Sequence, residues 1–441
     1  MKYDLFFELA KQAGIEEAEL SISTSYSLSF SLFHGEIDSY SSSNSSSFLA
    51  RGIYKGKMGS ISSDIYNKDI ANYFVEQIVN NASVIENDDP VFIFKGSEKY
   101  RKINTFNKEL NGISVEKKIE IAKDIEKMIK SGDSRIVEVE TVAYDESSSS
   151  NTILNSHGLK LVQKNNYFLY YGGAVAKENG QTKTGGDLYF GNDFSKFVPS
   201  DLAKSIVKEA VDQLGGHPCD TATYKAVLSP DVVKAFLSAY VSSAIAEDVQ
   251  KNSSLFVGKL GQKVASKKVT VEDLPLAKTV FARSFDDEGV ATYNKPIIKN
   301  GVLQTYLYNL TTAAKENRET TANGVVSGGS KVYTSPWFLK MKPGKKTQEQ
   351  LFEEIGDGVY ITEVQGLHAG LNPRSGNFSL QSTGYLVKNG KKDHGLDIIT
   401  VSGNLVDLFN SIIEVGSDSK TFISGLECPS VIVKKIAVSG K

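Results

Sequence analysis

Between Leu20 and Leu32 the even positions are Leu20, Ile22, Thr24, Tyr26, Leu28, Phe30 and Leu32, while every odd position from Ser21 to Ser31 is serine. A period of two sustained over this length predicts a half-exposed strand, bent or broken near Thr24-Ser25 and turning at His34-Gly35-Glu36. Ahead of it, Leu5, Phe6, Leu9 and Ala13 recur at helical spacing before Gly14, the pattern of a short amphipathic helix with a glycine stop. The serine-rich stretch 39–47 has the composition of a flexible linker. Its strand-like flanks, 30–33 and 48–53, equally suit a polar hairpin or a sheet edge. Ile70, Phe74, Ile78 and Ala82 then predict a helix after Asp69.

Residues 87–111, with Pro90 and scattered charge, suggest an excursion between two subdomains. Ser114 is placed to cap a helix whose buried face is Val115, Ile119, Ala122, Ile125 or Glu126, and Ile129. Val137, Val139, Thr141 and Ala143 alternate as a strand, and residues 152–176 add more β pattern. Leu202, Ile206, Ala210 and Leu214 mark a further helix, ended by Gly215-Gly216-His217-Pro218. Beyond it, Ser229-Pro230-Asp231 starts a helix with a cap, a first-turn proline and an acid at its positive end. The remainder is rich in Gly, Val, Ile and Thr, and Asn300-Gly301 and Asn389-Gly390 sit between apolar runs as hairpin turns. The predicted class is α+β: an N-terminal α/β region with mixed or antiparallel sheet and helices, then a largely antiparallel β domain opened by one helix. The boundaries are 1–218, with subdomains 1–86 and 112–218, and 219–441.

Length and charge narrow the function classes. At 441 residues the chain exceeds one ordinary core. Lys plus Arg (50) nearly balance Asp plus Glu (52), and no basic block is dense enough to neutralise a row of phosphates, which disfavours direct nucleic-acid binding. Cys219 and Cys428 share no CxxC or Cys/His spacing, as in a reducing compartment. No secretory apolar region and no run long enough for a membrane span are visible, so a cytoplasmic protein is expected, with no membrane partner.

None of the five histidines precedes glutamate, so no helix offers the paired His and Glu of a zinc peptidase. Phosphate-cradling GxxxxGK[ST] and nucleophile GxSxG motifs are absent. An SxxK, SxN, KTG set can be assembled from Ser114 and Lys117, Ser149-Ser150-Asn151 and Lys183-Thr184-Gly185, but Ser114 already serves as a helix cap. Asp286-Asp287-Glu288-Gly289 reads either as a solvated turn closed by glycine or as a site for a cation or a substrate amine. His368, followed by Asn372, lies in a glycine-rich loop that is either a structural turn or a peptide contact.

The ordered stretches Lys225 to Val233, Lys259-Leu260-Gly261-Gln262-Lys263-Val264, Phe285 to Thr292, Ile298 to Leu307, Thr321-Ala322-Asn323-Gly324 and Ser375-Gly376-Asn377-Phe378 resemble the TldD/PmbA family, described as DNA gyrase modulators and peptide-maturation peptidases. Arg51-Gly52 and Asn155-Ser156-His157-Gly158-Leu159 extend the resemblance into the N-terminal half. In that family the TldD-type subunit carries HExxxH on the helix opening the C-terminal domain. The resemblance puts Ser229, Pro230 and Lys234 at those positions here, and serine, proline and lysine cannot rebuild the site. It implies the PmbA type: a chain with no catalytic or metal-binding residue and no cofactor of its own, working with a zinc-bearing TldD-type partner on small or unfolded peptides. Asp286, Asp287, Glu288, His368 and Asn372 are its candidate peptide contacts. The alternative is a stand-alone peptide-binding or scaffolding protein, a homodimer in isolation.

Overall fold

The computed structural model describes residues 3–326 and 331–441. The alternation at Leu20–Leu32 falls in the first strand of a six-stranded N-terminal sheet. Its strands are β1 (Glu17–Phe33), β2 (Glu36–Tyr54), β3 (Lys57–Ser63), β4 (Ile136–Asn155), β5 (Lys160–Glu178) and β6 (Gln181–Gly191). Their order is β3-β2-β1-β4-β5-β6, and every neighbouring pair is antiparallel. His34 (φ 54) and Gly35 (φ 77) supply the two left-handed residues of the tight β1–β2 turn.

The apolar positions of β1 serve two cores on one face of the sheet. Helices α1 (Asp4–Gln12) and α2 (Lys68–Ser83) cover Leu20, Ile22, Phe48 and Ala50. Helices α3 (Val115–Gly132) and α4 (Pro199–Val211) cover Leu28, Phe30, Leu32, Tyr144 and Tyr170. Thr24 is exposed and Tyr26 half-buried between the two helix pairs. The expected break at Thr24-Ser25 does not occur. Thr24 is paired on both sides, with Ser46 and with Ser150, so main-chain bonds hold the strand where no side chain anchors it. The serine-rich stretch is the body of β2, not a linker, and its hydroxyls bond across the pair: Ser25 to Ser45 at 2.7 Å, Ser27 to Ser43 at 2.8 Å and Ser31 to Ser39 at 2.7 Å.

Close approach of α4 to β6 depends on Gly185. A Cβ there would collide with the main chain of Glu209 and Ala210. Gly185→Ala is therefore expected to cost about 3 kcal/mol, the upper part of the overpacking range, measured as a fall in the denaturant midpoint.

In the C-terminal domain β7 (Ala222–Leu228) leads into helix α5 (Pro230–Ser242), with Ser229 accepting the Val232 N–H at 3.3 Å as its cap. β7 lies between strands Gly358–Gln365 and Val431–Ser439 in a second six-stranded sheet. Pairing of Thr400 with Ser439 and of Ser402 with Ala437 curls that sheet into a ring. Both Asn-Gly hairpins form, flanked by the pairs Lys299–Val302 and Lys388–Lys391. α5 packs between this ring and a smaller sheet that includes Leu339–Met341 and Leu426–Cys428, with Phe236 against Phe378 and Tyr240 stacked on Phe409. The chain is α+β with mostly antiparallel sheets. No helix among the described residues is long and apolar enough to cross a membrane.

Candidate functional site

The start of α5 is the first place to look for chemistry. Ser229 is buried at the cap, where its hydroxyl also donates to Thr362 O at 3.0 Å. Pro230 occupies the first turn and Lys234 lies over the Phe422 ring at 5.2 Å. The fold carries Cys428 to the same spot: its Sγ donates to Pro230 O at 3.2 Å. Along all of α5 the only carboxylate, thiol or imidazole belongs to Asp231, and Lys420 pairs with it at 3.0 Å. Burial pushes the Cys428 thiol well above its ordinary range, and it is the one thiol beside the helix start. One buried thiol beside one ion-paired aspartate and a lysine is not a zinc donor set. Among the described residues no group of three or more His, Cys, Asp or Glu side chains is placed to hold a metal ion.

The acidic run 286–289 forms the expected glycine-closed turn, with Gly289 at φ +85, but it is not solvated. Asp286 is 0 % and Glu288 4 % exposed. The turn docks against the serine-bearing face of the N-terminal sheet. Tyr100 donates its hydroxyl to Gly289 O at 2.8 Å, Ala291 N bonds Ser97 Oγ at 3.0 Å, and Gln163 Nε2 donates to Ala282 O at 2.7 Å. Each acid has its own donors. Asp286 accepts the amides of Glu288, Val290 and Gly324. Asp287 takes Arg283 at 2.7 Å and the Val326 amide, and Glu288 takes the Leu310 amide at 2.9 Å. Desolvation pushes Asp286 up to about 7 and Glu288 up to about 8, each raised further by a neighbouring acid. Three amides aimed at Asp286 favour its anion, so the retained proton belongs on Glu288, which accepts only one.

Beneath this turn lies an ion pair that the sequence reading missed. Glu19 (0 % exposed) and Arg51 (3 %) stand opposite each other on β1 and β2, with Arg51 Nε donating to Glu19 Oε1 at 3.1 Å. Glu19 Oε2 is buried with no hydrogen-bond partner. The Arg51 charge is felt at Glu288 and Asp287. The available signal was two charges inside otherwise half-buried strands, which becomes a pair only once the register is known.

The remaining candidates do not join this cluster. His368 is exposed on the short helix Leu367–Gly370, and Asn372 spends its side chain on the amides of Arg374 and Ser375, a local turn. Ser114 caps α3 by accepting the Lys117 amide, Ser149 lies in β4, and Lys183 pairs with Asp397, so the serine hydrolase set never assembles.

The architecture is that of a metallopeptidase-type chain. Residues 18–82, 108–214 and 221–440 match models described as PmbA/TldA metallopeptidase domain 1, central domain and C-terminal domain. The chain belongs to the PmbA/TldD metallopeptidase family. It is 28% identical over 414 residues to a metalloprotease of Methanocaldococcus jannaschii, covering 91% of this chain and 90% of that one. It is 25% identical over 331 residues to the metalloprotease PmbA of Escherichia coli O157:H7, covering 75% and 71%. A Thermotoga maritima crystal structure, described as a candidate modulator of a DNA gyrase, aligns with a TM-score of 0.90 at 32% identity over 99% of both chains. TldE from Thermococcus kodakarensis shares the fold, with a TM-score of 0.90 at 21% identity over 100% of both.

Proposed function

We propose that this chain is the metal-free subunit of a cytoplasmic PmbA/TldD-type metallopeptidase complex, and that it binds and positions small or unfolded peptides for cleavage by a zinc-bearing partner. The observation that carries the reading is the donor set of α5: a capped helix start whose neighbours are a single buried thiol, a lysine and an aspartate already paired with Lys420. A chain with the architecture of this family and, among its described residues, no cluster of metal ligands has its remaining role in recognition. Holding an extended substrate fixes its geometry before bond cleavage, a contribution that needs no reactive group on the holder.

Metal analysis of the purified chain is expected to find far less than one zinc per chain. Peptidase activity is expected to be absent from the chain alone and to appear when a TldD-type metallopeptidase from the same cell is added. One tightly held zinc per chain, or full activity without a partner, would overturn the proposal.

A further inference from the structure

Strand β6 ends the N-terminal sheet, so one side of it faces no second strand. Antiparallel pairing turns alternate residues outward. Leu188 is one of these, because its N–H bonds the side chain of its neighbour Asp187 at 2.8 Å. Asp187 is itself held by the Ser205 hydroxyl at 2.5 Å. The next outward residue by the same alternation is Phe190, whose N–H and carbonyl are bonded by no side chain among the described residues. An open groove of about 800 Å³ runs along this border, lined as well by residues 102–105, 276–282, Lys420 and Thr421. That volume lies in the range of ligand sites, about 300–1,000 Å³.

The groove is net positive: Lys102, Lys196, Lys278 and Lys420 line it against the carboxylates of Asp187 and Asp193. Lys196 has Asp193 at 3.4 Å and Lys420 has Asp231 at 3.0 Å. Lys102 and Lys278 are exposed at the rim and have no ion-pair partner among the described residues. Phe190, 5.7 Å from Phe281 between ring centroids, offers an apolar floor at one end.

We infer that an extended peptide bearing carboxylate side chains adds to β6 as a seventh strand in this groove, its main chain bonding Phe190 and the Leu188 carbonyl and its acids facing Lys102 and Lys278. The inference rests on the reading of the chain as a peptide-binding subunit and names the strand and substrate class. Strand addition explains tolerance of many sequences, because the main chain supplies the bonds, and the lysines supply the preference.

The test uses the full chain and a short fluorescein-labelled peptide of alternating valine and glutamate, with binding read by fluorescence anisotropy. N-methylation of alternate peptide amides in one phase is expected to weaken binding at least about tenfold, and in the other phase hardly at all. Lys102→Ala with Lys278→Ala is expected to weaken it about fivefold, and more salt to erase that difference. A valine–lysine peptide is expected to bind worse than the acidic one. Absence of binding, equal effects of both methylation phases, or no preference for the acidic peptide would each overturn the inference. Binding in one phase without activation of any metallopeptidase would sink the subunit reading and leave the groove standing. Activation with phase-blind binding would sink the groove alone.

Discussion

Arg51→Ala is expected to destabilise the protein by about 3–5 kcal/mol, the cost of stranding a buried charge. Glu19 is fully buried, its Oε2 already lacks a partner, and Arg51 supplies the hydrogen bonds to Oε1. Burial already raises the Glu19 carboxyl above its ordinary range against the opposing pull of Arg51. Without Arg51 that rise grows. The folded state then takes up a proton that the unfolded state releases, so the loss shrinks as pH falls through the new, higher folded-state value. Urea melts at neutral and mildly acidic pH read this directly. A double variant, Glu19→Leu with Arg51→Met, removes both charges and is expected to recover most of the loss. Equal destabilisation of single and double variants would show that the damage is steric and not electrostatic.

The second large effect is the pH dependence set by Glu288 and Asp286. Their folded-state values, about 8 and about 7, lie above the ordinary carboxylate range near 4. Between about pH 4 and about pH 8 the folded chain therefore binds more protons than the unfolded one, and stability falls as pH rises through that window. Glu288→Gln copies the protonated form. It is expected to flatten the fall and to leave the variant more stable than the parent above about pH 8. Parallel profiles for parent and variant would refute this assignment of the proton.

Features written in neighbouring residues were legible in the sequence. The caps at Ser114 and Ser229, the alternation of β1 and the two Asn-Gly hairpins depend on chemistry within a few positions. Even the weak spot at Thr24-Ser25, expected to be a bend or a break, was a true signal: it marks the gap between two helix pairs on an unbroken strand. What could not be read was burial created by distant partners. The acidic turn looked solvated because its run of charge is local, while the amides of Leu310 and Gly324 and the Tyr100 hydroxyl that enclose it come from elsewhere in the chain. The approach of Cys428 to Pro230 spans 198 positions and has no sequence signature.

The C-terminal domain, residues 221–440, is tied to the preceding chain in two places. Near the boundary, His217 N bonds Gly395 O, Tyr385 donates to Asp212 O and Lys183 pairs with Asp397. At the acidic turn, Tyr100, Ser97 and Gln163 make the second set of ties. A body riveted twice cannot swing on one hinge without shearing the other seam. Any guest whose entry needs the chain to open about one seam must therefore break the bonds of the other.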